Sequence, residues 1–201
     1  MLKHATPAQN ETFERLKVLF SADDIRFTLV GAAACREYGL PRPTDDLDIV
    51  VCHQSSAVAL LCSSGEFLVP NSDDQTNSPC TVQDVKTHVR VDFLTGDTRI
   101  NDHTLFPGGE IHDPLPIPRP SGCGNVADLP TLIAMKVSGV ISGMEIHRLG
   151  VTSEVRTRDK IEQDIEDVVG LILVCKLDRD LELGNEKVQR RYEEIFDNSK
   201  P

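Results

Sequence analysis

The sequence predicts an α/β (α+β) protein: one mixed β-sheet flanked by helices, with further helices gathered at the C-terminal end. Three observations carry this. Short β-branched runs alternate with helical periodicity through the first half of the chain. Long amphipathic stretches dominate the second half. And 201 residues, 39% hydrophobic and 26% charged, are enough to bury a core. The chain reads as a single domain over 1–201, with a core at about 10–125 and a helical part at about 126–201.

Taken in order, Asn10 to Ser21 predicts a helix, because Phe13, Leu16, Leu19 and Phe20 fall at helical spacing. Ile25 to Val30 reads as a strand, ended by Gly31, and Ala32 to Tyr38 as a helix. Gly39 caps that helix and the prolines at 41 and 43 stop its continuation. Leu47 to Cys52 is the second strand, Ser55 to Cys62 a helix, and Glu66 to Val69 a short strand. Residues 71–79 are polar and acidic, hence loop. Val82 to Val85 and Val89 to Leu94 form a hairpin around Lys86-Thr87. Phe106 to Gly124 is rich in proline and glycine and reads mostly as a long loop with one extended stretch. Helices follow at Asp128 to Met144, at Arg156 to Lys176, and within Arg179 to Pro201.

Charge and composition exclude several function classes. Lys+Arg number 21 against Asp+Glu 32, a net charge of −11, so a broad grip on extended nucleic acid is disfavoured. There is no Trp, and aromatics are 4%, too few for base-stacking platforms. No apolar run reaches the ~20 residues of a membrane span, and the start lacks a signal-peptide apolar region. The expected location is the cytoplasm, with the six cysteines as reduced thiols. The histidines show no metal-ligand spacing.

The chemistry-bearing segment is Thr44-Asp45-Asp46-Leu47-Asp48-Ile49-Val50-Val51. Side chains alternate along a strand, so Asp46 and Asp48 share one face while Leu47, Ile49 and Val51 share the other. Two carboxylates so placed repel, and a folded protein sets them there with a cation or an arginine between them. In Val89-Arg90-Val91-Asp92-Phe93-Leu94 the apolar residues again take one face. That leaves Asp92 with Arg90 on the other, where Asp92 pairs with Arg90 or joins the first two acids. If the two strands are neighbours, three carboxylates converge. That is a hard-oxygen set suited to Mg²⁺.

Together with the residues before them, these acids resemble a known pattern. Leu29-Val30-Gly31-Ala32-Ala33-Ala34, then Tyr38-Gly39, then Arg42-x-Thr44-x-Asp46-Leu47-Asp48, is similar to the nucleotidyltransferase superfamily of polymerase beta. Within it, the chain looks nearest to the minimal and abortive-infection-toxin-type members. Asp92 matches their third acid. Asp128-Leu129-Pro130-Thr131-Leu132-Ile133-Ala134-Met135-Lys136 is similar to their Leu-Ile-x-x-Lys helix. Arg158-Asp159-Lys160, Asp164 and Asp167 resemble a later basic-acidic segment.

The resemblance implies a nucleotidyltransferase-like sheet and Mg²⁺-dependent transfer of a nucleoside monophosphate from ATP or another nucleoside triphosphate to an acceptor hydroxyl, releasing pyrophosphate. It implies Asp46, Asp48 and Asp92 as metal ligands and catalytic groups. It implies Gly31, Ala32, Arg42, Thr44 and Lys136 as nucleotide-binding residues. The acceptor stays open between a small molecule, a protein side chain and an RNA end. Where the family has Gly-Ser or Gly-Gly, this chain has Gly31-Ala32. That departure favours an alternative: a protein of the same fold that binds a nucleotide or a protein partner with little or no turnover. A third reading is an unrelated acidic interaction module.

Overall fold

The computed structural model describes residues 1–70, 81–95, 123–148 and 158–199. The described residues form two compact units. The first contains the sheet and three helices: α1 (Pro7–Ala22), α2 (Gly31–Glu37) and α3 (Gln54–Ser63). Helix α1 starts where Thr6 makes a reciprocal capping box with Gln9 and Pro7 takes the first turn.

The strands are β1 (Phe27–Val30), β2 (Asp46–Val51), β3 (Phe67–Leu68), β4 (Thr81–Asp84), β5 (Arg90–Thr95) and β6 (Cys123–Val126). Their order across the mixed sheet is β3-β4-β5-β2-β1-β6. Strands β2 and β5 run parallel at its centre, while β1 with β2, and β4 with β5, run antiparallel. The period-2 pattern of β2 sends Leu47, Ile49 and Val51 fully into the core. Val91 and Phe93 of β5 stand beside Leu47 and Ile49 on that face. Phe27 packs edge-on against Phe13 and Phe20 of α1, with ring centroids 5.6 and 5.2 Å away. Each fully buried side chain of this size contributes about 1.5–3 kcal/mol.

Strand β6 begins at the end of the stretch expected to be mostly loop with one extended run, and continues past Gly124 to Val126. It pairs parallel with β1, with a register shift at Phe27 and Thr28. Gly124 has φ +72, and a Cβ there would lie 2.5 Å from Cγ of Lys17. Backbone pairing and a close approach hold this strand, neither of which leaves an alternating side-chain signature. The rest of the predicted loop, residues 106–122, and the polar segment 71–79 lie outside the described residues.

The hairpin of β4 and β5 turns at Lys86 and Thr87 around a buried carboxylate, Asp84. One oxygen accepts from the Lys86 and Thr87 backbone N–H groups at 2.8 and 3.2 Å and from Arg15 at 3.0 Å. The other accepts from the Thr12 hydroxyl at 2.8 Å. Burial raises the pKa of Asp84, but these donors and the Arg15 charge outweigh it, and the net shift is downward.

The second unit holds three helices, α4 (Leu129–Arg148), α5 (Arg158–Cys175) and α6 (Glu186–Ser199), with the short segment Tyr38–Leu40. Leu132, Ile133, Val137 and Val140 of α4 are fully buried, as are Val168 and Leu171 of α5. Tyr192 of α6 is buried and donates its hydroxyl to the Asp178 carbonyl at 2.8 Å; burial pushes its pKa up to about 12. Cys35, Cys52, Cys62 and Cys175 are free thiols. Among the described residues no helix is long and apolar enough to cross a membrane.

Candidate active site

The sheet register brings the acidic strands together. Asp48 is the direct neighbour of Asp92 across the parallel β2–β5 ladder, and Asp46 is the neighbour of Arg90. Neighbours in register point to the same sheet face, so Asp46, Asp48, Arg90 and Asp92 all project on one side. The opposite side carries the buried apolar residues that fix this register.

Each acid is oriented by its surroundings. The Thr44 hydroxyl donates to Oδ1 of Asp46. The Thr81 hydroxyl, on the next strand, donates to Oδ1 of Asp92 at 2.6 Å. The other oxygens of these two acids face a single nitrogen: Nη2 of Arg90 lies 3.0 Å from Oδ2 of Asp92 and 3.5 Å from Oδ2 of Asp46. Asp48 stands against the turn at Gly31, whose φ is +64. A Cβ on Gly31 would lie 1.9 Å from Oδ2 of Asp48, so only glycine allows this carboxylate to lie over the start of α2. Ala32 follows, buried. Helix α2 has only seven residues, so the local N–H groups matter here more than a macrodipole.

Two residues that position these acids were not singled out from the sequence. Gln9 is 1% exposed, and its amide nitrogen donates to the carbonyls of Thr44 at 3.0 Å and Asp46 at 3.2 Å. Its oxygen accepts from the Thr6 N–H at 3.0 Å and from Arg36 at 3.2 Å. One side chain thus ties α1 and α2 to the loop that enters the acidic strand. Its signal was the capping-box spacing Thr6-x-x-Gln9. Thr81 had no signal, because its role depends on the β4–β5 register.

The remaining predicted residues are placed as follows. Arg42 is half-buried in the loop before β2. Lys136 lies in the helical unit, between two carboxylates of α5: Nζ is 2.9 Å from Asp164 and 2.7 Å from Asp167. Of its two expected roles, reaching the cleft toward a triphosphate or an active-site aspartate and pairing with a buried acid, the described contacts are of the second kind. Arg158 pairs with Glu162 at 2.8 Å, and Arg156 lies outside the described residues.

Among the described residues, no three His, Cys, Asp or Glu side chains are gathered closely enough to hold a metal ion as they stand. Asp46, Asp48 and Asp92 share one sheet face without forming such a group. The Arg90 guanidinium lies between Asp46 and Asp92 and supplies positive charge to both. The donor chemistry still fits a hard divalent ion. All three acids offer oxygens on one face, two of them already drawn to a common cationic nitrogen.

This mixed sheet, with an acid pair on one strand, a third acid beside it and helices C-terminal to it, is the arrangement expected from the sequence. Solved structures similar to the chain include nucleotidyltransferases. One is ANT(2'')-Ia in complex with adenylyl-2''-tobramycin: 15% identity over 96% of this chain and 99% of that one, TM-score 0.46. Another is an antigenic nucleotidyltransferase-like protein from Paracoccidioides brasiliensis: 15% identity over 94% and 88%, TM-score 0.48. A third is a nucleotidyltransferase from Helicobacter pylori described as putative: 15% identity over 97% and 95%, TM-score 0.34. No family model matches the chain, and no curated protein matches it. With these TM-scores below 0.5, the functional reading rests on the chain's own residues.

Proposed function

We propose that the chain is a Mg²⁺-dependent nucleotidyltransferase that moves a nucleoside monophosphate from a nucleoside triphosphate to an acceptor hydroxyl and releases pyrophosphate. The observation that carries this is the register of Asp48 with Asp92, with Asp46 on the same face of β2. Asp46, Asp48 and Asp92 are the residues that would hold the metal. When bound, a divalent ion supplies charge neutralisation for in-line displacement at phosphorus.

The protein's own groups do the rest. Asp92, oriented by Thr81, takes the proton of the acceptor hydroxyl. Thr44 and Gln9 hold Asp46 and its backbone in place. The backbone N–H groups of Gly31 and Ala32 face the phosphates, and Arg42 contributes positive charge to them. The pairing of Lys136 with Asp164 and Asp167 supports a role within the helical unit, so its part in nucleotide binding needs its own test.

The test is incubation with each of four radiolabelled nucleoside triphosphates, Mg²⁺ and cell extract, followed by detection of the labelled acceptor. Label transfer that disappears on chelation and in Asp48→Asn is the expected result. A protein that binds nucleotide with Mg²⁺ but transfers no label would instead support the second reading, which Ala32 favours: binding without turnover.

A further inference from the structure

The geometry points to Arg90 as a built-in competitor of the divalent cation: its guanidinium holds the Asp46–Asp92 pair in the metal-free protein and must leave for metal to bind. This rests on the metal-dependent reading above.

Three features carry the inference. Arg90 stands two residues before Asp92 and opposite Asp46 in the ladder, so strand geometry delivers its side chain to the acidic face. Thr44 and Thr81 each occupy the Oδ1 oxygen of their acid, which turns both Oδ2 oxygens toward the same guanidinium nitrogen. A cation shared by those two oxygens then has a rival already seated there. Finally, the Arg90 side chain is 56% exposed, against 12% for Asp92. A long, half-exposed side chain lifts off into solvent at little cost, whereas the carboxylates stay anchored. Mg²⁺ approaches carboxylate oxygens to about 2.0–2.1 Å and carries twice the charge, so guanidinium and metal do not share the pair.

The consequence is opposite to that of removing a ligand. Arg90→Gln removes the competitor and keeps every acid, so Mn²⁺ affinity should rise, by about three- to tenfold for two ion pairs made by a half-exposed arginine. Arg90→Lys keeps a cation in place and should bind Mn²⁺ much as the parent does.

The experiment is Mn²⁺ titration, without nucleotide, of the parent, Arg90→Gln, Arg90→Lys and Arg90→Gln/Asp48→Asn proteins, read by electron paramagnetic resonance and by the thermal shift on metal addition. Tighter binding by Arg90→Gln that is lost in the double variant supports the inference. Equal or weaker binding by Arg90→Gln, with the parent binding normally, overturns it and leaves the metal-dependent reading standing. No Mn²⁺ binding by any protein at millimolar metal overturns both. Should Arg90→Gln fail to fold, the Arg90 Nε–H resonance of the parent is followed during a Mg²⁺ titration. Movement with the binding midpoint supports displacement, and no movement at saturation overturns it.

Discussion

Lys136→Met is the perturbation whose size follows most directly from the structure. The ammonium lies 2.9 Å from Asp164 and 2.7 Å from Asp167, and the three side chains are 12%, 6% and 5% exposed. Asp164 and Asp167 stand three residues apart on α5, so they share a helix face turned toward Lys136 of α4. Methionine keeps the length and most of the volume of the lysine stem, so packing changes little. What is lost is the positive charge between two buried carboxylates. Removing one partner from a buried pair costs about 3–5 kcal/mol. At about 2–4 °C per kcal/mol for a chain of this size, the melting temperature of the protein should fall by roughly 6–20 °C. The assay is urea denaturation with amide exchange on α4 and α5, which reports this unit separately. Neutralising the acids as well, in Lys136→Met/Asp164→Asn/Asp167→Asn, should restore at least half of the loss. A single variant that loses less than about 1 kcal/mol would refute the charge argument. So would a triple variant as unstable as the single one.

Asp84→Asn should destabilise by about 2 kcal/mol or more at pH 7, because an amide cannot accept from all four donors around that site. Asp84 has a lowered pKa in the fold, so its contribution is complete above the unfolded value of about 3.9 and fades as pH falls through the lower folded value. Urea denaturation at several pH values should therefore show the gap between parent and variant closing below that range. Gly31→Ala forces a left-handed φ on alanine, costing about 1–2 kcal/mol, and drives its Cβ into the Asp48 carboxylate. Calorimetry should show both a lower melting temperature and lost Mg²⁺-dependent nucleotide binding. Gln9→Leu leaves the Thr44 and Asp46 carbonyls without their amide donor, a loss of about 1–3 kcal/mol. Mn²⁺ binding by that variant should weaken at temperatures where circular dichroism shows it still folded.

Much of the sheet was legible because its information is local. Alternation in Leu47–Val51 and Val89–Phe93 specified two strands and the face of every acid on them, and the Lys86-Thr87 turn specified the hairpin partner of the second. Strand β6 was illegible for the converse reason: Cys123–Val126 is held by backbone pairing with β1 and has no period of its own. The partners of Lys136 lie 28 and 31 residues away on another helix, and no spacing rule connects them.

The deeper ambiguity concerns the acids themselves. Asp84, Asp92, Asp164 and Asp167 all look alike in sequence, as carboxylates set among core residues. The structure separates them by what neutralises each. Asp84 is met by four donors, two of them backbone N–H groups that cannot leave without opening the hairpin. Asp164 and Asp167 are met by an ammonium on a side chain only 12% exposed. Only Asp92, with Asp46 beside it, is neutralised by a cation on a half-exposed side chain able to exchange with solvent ions. An acid whose counter-charge is fixed is committed to stability, and an acid whose counter-charge can be replaced remains available for chemistry. That distinction, invisible to spacing and composition, singles out the β2–β5 face as the place to look for the reaction.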